Sequence, residues 1–244
     1  MNQLELSIVM PCFNEGDSID ALLREWLAYL ADHVPQSELI VVNDGSSDGT
    51  GRTLDKLRKE FRRLRVIHQL NTGHEKAVRR GYEAARGHYV FQVDSDGRYE
   101  LSDFARIWEA RVGKVAVLGS RTHRLDGIVQ RGIEHLHGRA IRLAFKLDWR
   151  DPNVPFRLMR RDLVASYLKE LPTSLNSVNL LLACFLKRDY PEACAEISVP
   201  YRARSRGIRR RLGLSRRLRL ALKVHGEIAL YRSRTDAALV LQQT

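Results

Sequence analysis

Cysteine is scarce in this 244-residue chain: Cys12, Cys184 and Cys194 are the only three. They show no metal-type spacing, and an odd number argues against a disulfide framework, so a reducing compartment fits. Long apolar runs are missing as well. The longest uncharged stretch of the second half runs from Leu171 past a proline to Leu186, and its apolar part, Val178 to Leu186, is interrupted by Asn179. That is too short to span a bilayer. Met1 to Glu5 lacks the basic-then-apolar order of a secretory signal, so a cytosolic location is expected. No Gly-x-Gly-x-x-Gly or Gly-x-x-x-x-Gly-Lys-Ser/Thr pattern occurs, which removes direct support for a dinucleotide fold or a P-loop. The histidines form no His-Glu-x-x-His zinc pattern. Acids are absent between Arg202 and Lys223, where ten lysines or arginines fall. Much of the formal charge of +12 therefore belongs to the C-terminal segment, which points to an anionic partner.

What is present is an alternation. Leu4 to Met10 reads as a strand stopped by Pro11, and Asp17 or Ser18 caps a helix with apolar face Ile19, Leu22, Leu23, Trp26, Leu27 and Leu30. Leu39 to Val42 is a second strand, ending in Asn43 to Gly49, where Ser47 or Asp48 would cap a helix carrying Leu54, Leu57 and Phe61. Val66 to Leu70 is a third strand, followed by a helix from about Gly73 through Val78 to Ala85. Tyr89 to Val93 is a fourth, ending on Asp94-Ser95-Asp96, and Val115 to Leu118 a fifth. Further on, Ile133 to Leu147, Asp162 to Leu171 and Val178 to Lys187 have helical character, while Phe156 to Met159 and Ile197 to Val199 read as short strands.

Strands alternating with helices predict a doubly wound, mainly parallel α/β sheet with helices on both faces. Ligands of such sheets bind beyond the carboxyl ends of the strands. Four polar clusters lie there: Pro11 to Asp17, Asn43 to Asp48, Asn71 to Lys76 and Asp94 to Arg98. Asp94 and Asp96 alone would pass for an Asx-type turn. Beside the other three clusters they suit Mg²⁺ or Mn²⁺, hard cations that take one or two carboxylates and complete their shell with phosphate oxygens and water. Asp44, at the end of its strand, would accept a hydrogen bond from a base or ribose.

Ser7 to Glu15, Val41 to Thr50, Asn71-Thr72-Gly73, Gly81, Ala85-Arg86-Gly87 and Asp94-Ser95-Asp96 together resemble the family 2 glycosyltransferases of the GT-A fold. The resemblance implies that Pro11, Phe13, Glu15 and Asp44 hold the nucleoside of a UDP- or GDP-sugar, with Asp94 and Asp96 at its diphosphate and metal. Gly119-Ser120-Arg121, Asp151 to Leu158, Glu196-Ile197, Arg204, Gly207 and Arg210 are similar to the polyprenyl-phosphate, dolichyl-phosphate mannose synthase-like branch. That branch implies an inverting transfer to a polyprenyl phosphate. Catalysis would involve Asp96, Arg121 and Arg131, with Arg121 and Arg131 receiving the acceptor phosphate. Arg204 would contact the donor diphosphate, and Asp151 and Arg157 would belong to the acceptor region. Among the departures, Glu75 stands where the family often has glycine, Arg98 replaces a glutamine and Pro155 replaces a glycine.

A domain over residues 1–210 is expected, with a nucleotide-sugar half (1–120) and an acceptor half (121–210), followed by a basic tail (211–244). Leu214, Leu218, Ala221, Leu222 and His225 of the tail have helical spacing beside Arg216, Arg217 and Lys223, as in a helix lying on an anionic membrane. A helix packed on the domain fits the same pattern. The protein would then be peripheral on the cytoplasmic membrane face. Between Lys169 and Lys187 the one acid is Glu170, which favours an acceptor phosphate, already an anion, over a hydroxyl needing a carboxylate base. A hydroxyl acceptor would require Asp151 or Glu134 as base. A nucleic-acid-binding protein would account for the basic tail and not for the Asp94–Asp96 pair, so no nucleic acid is expected.

Overall fold

The computed structural model describes residues 4–122, 128–147, 151, 154–202 and 214–241. The strands are β1 (Leu6–Cys12), β2 (Ser37–Asp44), β3 (Leu64–Gln69), β4 (Tyr89–Val93), β5 (Ala116–Arg121), β6 (Phe156–Arg160) and β7 (Cys194–Val199). Between and after them run α1 (Ile19–His33), α2 (Thr50–Glu60), α3 (His74–Ala84), α4 (Leu101–Glu109), α5 (Ile128–Phe145), α6 (Arg161–Glu170), α7 (Val178–Asp189) and α8 (Leu214–Leu241). One sheet holds the strands in the order β3-β2-β1-β4-β6-β5-β7. β6 is antiparallel to both its neighbours, β4 and β5, and the other pairs are parallel. The doubly wound, mainly parallel sheet expected from the alternation is what forms.

Side chains of a strand point alternately to its two faces, and β1 shows the consequence. Val9 packs with Ile40, Val42, Val90, Ala77 and Val78 on one side. Leu6, Ile8 and Met10 pack with Leu39, Val41, Phe91 and Trp26 on the other. Trp26, Phe91 and Phe104 form an aromatic centre, with ring centroids 5.4 Å apart for Trp26 and Phe104 and 4.9 Å for Phe91 and Phe104. Burying each such ring contributes about 2–3 kcal/mol. Because β1, β2, β3, β4 and β5 all run the same way, Cys12, Asp44, Gln69, Val93 and Arg121 end at one edge of the sheet.

Several local expectations change. Pro11 does not stop β1; it pairs with Val42 within the strand. It lies past the last β1–β4 pair, Val9 with Gln92, where β1 has a partner on one side and a missing N–H is tolerated. Ser18 stands at the α1 N-cap, but its hydroxyl turns back to Glu15 instead of capping. Gly49, not Ser47 or Asp48, precedes α2, although Asp48 Oδ1 does accept the Thr50 N–H at 2.9 Å. Helix α4 was not foreseen: Glu100 opens it, and the Asp103 carboxylate accepts the Glu100 N–H at 3.2 Å, an acid-for-acid version of the usual Ser/Thr signature. β5 and β7 extend beyond their apolar centres, to Arg121 and back to Cys194, because each supplies the other's ladder.

The tail helix packs on the domain. Val224, Ile228 and Tyr231 of α8 are buried, and α8 lies against α5. The apolar row thus runs one position away from the expected one, and Leu222 is 72% exposed. Leu214 and Leu218 have side chains outside the described residues. Glu227 fastens the helix: its carboxylate accepts the Asn176 N–H at 2.9 Å, the Asn176 amide at 3.0 Å and the Ser177 hydroxyl at 2.5 Å. Among the described residues no helix is long and apolar enough to cross a membrane.

Gly87 lies against β1, where an added Cβ would meet the Leu6 carbonyl carbon and the Ser7 nitrogen at 2.5 Å. Main chain cannot yield as a side-chain tip can, so Gly87→Ala is expected to destabilise by about 2–3 kcal/mol. Gly132, exposed within α5 with open space around it, should instead gain up to about 1 kcal/mol as Gly132→Ala. Denaturant unfolding of the two variants checks the opposite signs.

Candidate functional site

Three loops interlock beyond the ends of β1, β2 and β3. Asn14 adopts a left-handed backbone (φ 56°), which Asn tolerates, and faces the loop after β2. Its N–H donates to Ser46 Oγ at 2.9 Å, and its Oδ1 accepts the Ser47 N–H at 2.8 Å. Glu15, 6% exposed, donates its N–H to Thr50 Oγ1 and accepts the Ser18 hydroxyl. Gly45, with φ 69°, lets the same loop approach the next one, since a Cβ there would stand 2.5 Å from the Asn71 nitrogen. Asp44 is 4% exposed, and its Oδ1 accepts from the Thr72 N–H at 2.9 Å and the Gln69 amide at 2.8 Å. Its Oδ2 accepts the Gly73 N–H at 2.9 Å. Asp44 therefore holds the 71–73 turn in place at the site's edge. Phe13 is 37% exposed at the mouth of these loops.

Asp94 and Asp96 follow β4. Asp94 Oδ1 accepts the Gln92 amide at 3.0 Å and lies 3.6 Å from His74 Nε2. Burial pushes the Asp94 carboxyl up to about 6, reinforced by Asp96 and Glu75 and opposed by His74 and Arg157. Desolvation lowers the His74 pKa, but Asp94, Glu75, Asp96 and Asp44 outweigh it and hold the pKa above the usual value. Asp96 Oδ2 stands 3.0 Å from Arg98 Nε, whereas Asp96 Oδ1 is buried and, among the described residues, has no hydrogen-bond partner. An orphaned carboxylate oxygen is costly unless an ion or ligand completes it. Among the described residues no group of three or more His, Cys, Asp or Glu could hold a metal. Two carboxylates that rely on ligand phosphates for the remaining positions suit Mg²⁺ or Mn²⁺.

Behind Asp94 lies Arg157, 2% exposed, at the start of β6. Its guanidinium donates to the carbonyls of Val154 (3.0 Å) and Asn179 (2.5 Å), so a buried cation backs the acids from within the sheet. At the end of β5, Arg121 and Asp151 form a bidentate pair at 2.7 and 2.8 Å, both side chains nearly buried. The Tyr201 ring lies between Arg98 and Arg121, at 4.7 and 5.0 Å from their guanidinium carbons. A row Asp96–Arg98–Tyr201–Arg121–Asp151 thus walls the far side. Burial pushes the Cys184 thiol up to about 12 and Cys194 up to about 11, which leaves neither as a thiolate nucleophile.

The model of "Glycosyl transferase family 2" matches residues 7–168, a span that takes in the interlocked loops, both acids and β6. The chain belongs to glycosyl transferase family 2. An undecaprenyl-phosphate 4-deoxy-4-formamido-L-arabinose transferase from Pseudomonas fluorescens is 30% identical over 67% of this chain and 49% of its own length. A dodecaprenyl-phosphate galacturonate synthase from Rhizobium johnstonii is 28% identical over 91% of this chain and 66% of its own. The chain thus spans about half to two thirds of the length of these relatives. Glucosyl-3-phosphoglycerate synthase from Mycobacterium tuberculosis, solved with UDP, superposes with a TM-score of 0.70 at 20% identity, covering 94% of this chain and 80% of that one. A second structure of it contains Mn²⁺, UDP-glucose and phosphoglyceric acid. The fold is therefore the GT-A fold of this glycosyltransferase family.

Within that fold, the structure brings Pro11, Phe13, Glu15, Asp44, Asp94 and Asp96 to one sheet edge. Several expectations change in detail. Asp44 is engaged by the 71–73 turn, and the fork of Arg121 is taken by Asp151. Arg157 is buried behind the acids and does not line an open acceptor surface. Arg131, Glu134, His135 and His137 lie on α5 with their side chains outside the described residues, and Arg204 and Arg210 lie outside the described residues altogether. The acid-poor segment before Lys187 is not acid-poor in space, because Glu75 and Glu227 reach the first turn of α7 from α3 and α8. His74 and Arg98 were missed as partners of the acids. Their place in two of the strand-end clusters was the available signal.

Asp94 holds its proton more tightly folded than unfolded, where a value near 3.8 applies. Its contribution therefore favours folding below pH 4 and is lost as pH rises through about 6. Without metal at pH 7.5, Asp94→Asn is expected to raise Tm by about 2–4 °C, from relief of roughly 1 kcal/mol of buried charge, while Mn²⁺ no longer raises it further. Wild-type Mn²⁺ affinity should increase with pH through about 6. Thermal melts with and without Mn²⁺ between pH 5 and 8 check both.

Proposed function

We propose that this family 2 glycosyltransferase moves a sugar from a nucleoside-diphosphate sugar to a polyprenyl phosphate, in an inverting, divalent-metal-dependent reaction. The observation that carries the reading is the orphaned, buried Asp96 Oδ1 beside Asp94, at the sheet edge shared with the interlocked nucleoside loops. The names of the relatives, which include a dodecaprenyl-phosphate galacturonate synthase and an undecaprenyl-phosphate sugar transferase, support a lipid-phosphate acceptor. The Mn²⁺ and UDP-glucose bound by the glucosyl-3-phosphoglycerate synthase support the donor and the metal.

Phe13, Glu15 and the turn braced by Asp44 would receive the nucleoside. Asp94 and Asp96 would hold the cation. When bound, Mg²⁺ or Mn²⁺ supplies positive charge to the departing nucleoside diphosphate and orients its oxygens. An oxygen of the acceptor phosphate forms the new bond to the anomeric carbon as the bond to the diphosphate oxygen breaks, and the diphosphate leaves with the electron pair. Since a phosphate monoester is already anionic, no general base is required. By resemblance, Arg131 would meet the acceptor phosphate and Arg204 the donor diphosphate. Arg121 would act from the wall, because freeing its buried fork from Asp151 costs several kcal/mol.

The lipid would be reached from a membrane surface. Leu136 and Leu143 of α5 and Leu220, Leu222 and Leu230 of α8 are exposed, beside the exposed Arg139, Arg142, Arg219 and Lys223. Leucines flanked by cations suit the cytoplasmic face of an anionic bilayer.

Incubation with UDP- and GDP-sugars, Mn²⁺ and a short polyprenyl phosphate should give a polyprenyl-phosphate sugar. Activity should fall at least about a hundredfold in Asp96→Asn, as loss of electrostatic stabilisation of a leaving group does. Product formed equally well in chelator would overturn the metal. Transfer to sugar hydroxyls alone would overturn the acceptor.

A further inference from the structure

Two carboxylates reach the first turn of α7, and neither comes from α7. Glu227 is saturated by Asn176 and Ser177. Glu75 is not. Its Oε2 accepts the Asn179 N–H at 3.0 Å, and among the described residues its Oε1 accepts no hydrogen bond. Asn179 is itself fixed on two further sides: its carbonyl accepts from Arg157 at 2.5 Å and its Oδ1 from the Tyr82 hydroxyl at 2.6 Å. Asn179 is 3% exposed, so Glu75, itself half-buried, is anchored on a buried partner with one carboxylate oxygen left over. The preceding residue, His74, lies 3.6 Å from Asp94 Oδ1. The starts of α3 and α7 and the Asp94 loop therefore border one space.

An anion in that space has to face something other than the donor's phosphates, which it would repel. Directly beyond the diphosphate of a nucleotide sugar comes the sugar, whose hydroxyls are hydrogen-bond donors suited to a carboxylate oxygen. A sugar carrying its own carboxylate would bring a like charge to Glu75. Of the nearby groups that could relieve it, Arg157 has its donors committed to backbone carbonyls and His74 faces Asp94. We propose that Glu75 binds the hydroxyls of the transferred sugar and selects uncharged or amino sugars over uronates. The proposal rests on the nucleotide-sugar reading of the cleft and deepens it by naming the donor class.

The test is calorimetric binding of UDP, UDP-glucose and UDP-glucuronate, with GDP and GDP-mannose in parallel, to wild type and Glu75→Gln in Mn²⁺. Wild type should prefer the neutral sugar over the uronate by about tenfold or more, the scale of one charged hydrogen bond or one like-charge contact. In Glu75→Gln, the neutral sugar should weaken about tenfold, while the bare nucleoside diphosphate stays within about twofold and the uronate catches up. If the substitution weakens the bare nucleotide and the nucleotide sugar by the same factor, Glu75 only clasps α7 and the proposal is overturned. Equal binding of the neutral and uronate donors by wild type overturns it too, whether or not the variant folds. Failure of every nucleoside diphosphate to bind would instead remove the cleft reading, and the role of Glu75 with it.

Discussion

The parallel run of β1, β2 and β4 forces acids together. Once the apolar faces of these strands fix the register, Asp44, Asp94 and Asp96 must emerge at one edge, joined there by Glu15 and Glu75. Carboxylates gathered at the rim of an apolar sheet repel one another, and the chain answers in different ways at different positions. Asp44 is solvated locally by backbone and amide donors of the 69–73 segment. Glu15 is held by Ser18. Asp94 and Asp96 receive less: His74 and Arg98 stand beside them, Arg157 stands behind, and among the described residues one Asp96 oxygen has no partner. The incompletely answered acids are the ones that call for a cation.

The same edge explains why the three loops after β1, β2 and β3 brace one another. The loop after β1 is tied to the loop after β2 through Asn14, Ser46 and Ser47, and that loop touches the turn after β3 at Gly45 and Asn71. Each loop is short, and each is braced by the next, so the wall is organised before a ligand arrives. Preorganisation of this kind lowers the cost of ordering on binding. On the opposite wall, Tyr201 stacks between Arg98 and Arg121, linking the acid loop after β4 to the ends of β5 and β7.

The first 120 residues were readable because their signals are local: apolar runs of strand length, each ending in turn-forming polar residues. The order of elements and the four strand-end clusters followed from that. Helix α4 escaped because its cap pairs Glu100 with Asp103, two acids where Ser or Thr would be read. The partners of the site residues escaped for a different reason. Arg121 and Asp151 are thirty residues apart, and Glu75 and Asn179 more than a hundred, so their pairing depends on tertiary placement. The scarcity of acids between Lys169 and Lys187, where Glu170 stands alone, was a correct reading of sequence that did not survive folding, because α3 and α8 deliver Glu75 and Glu227 to that place. The tail showed basic amphipathic character, yet which row of α8 faces the domain was set by packing against α5.

The central claim is that Asp94 and Asp96 bind a nucleoside diphosphate through a shared divalent cation. It is tested most directly by titrating UDP and GDP into the protein in Mn²⁺ and in chelator, for wild type and Asp96→Asn. The account predicts that Mn²⁺ strengthens binding of one nucleotide by at least about tenfold in wild type, and that Asp96→Asn loses this gain. Equal affinity with and without the metal, or a gain that persists in Asp96→Asn, would contradict it.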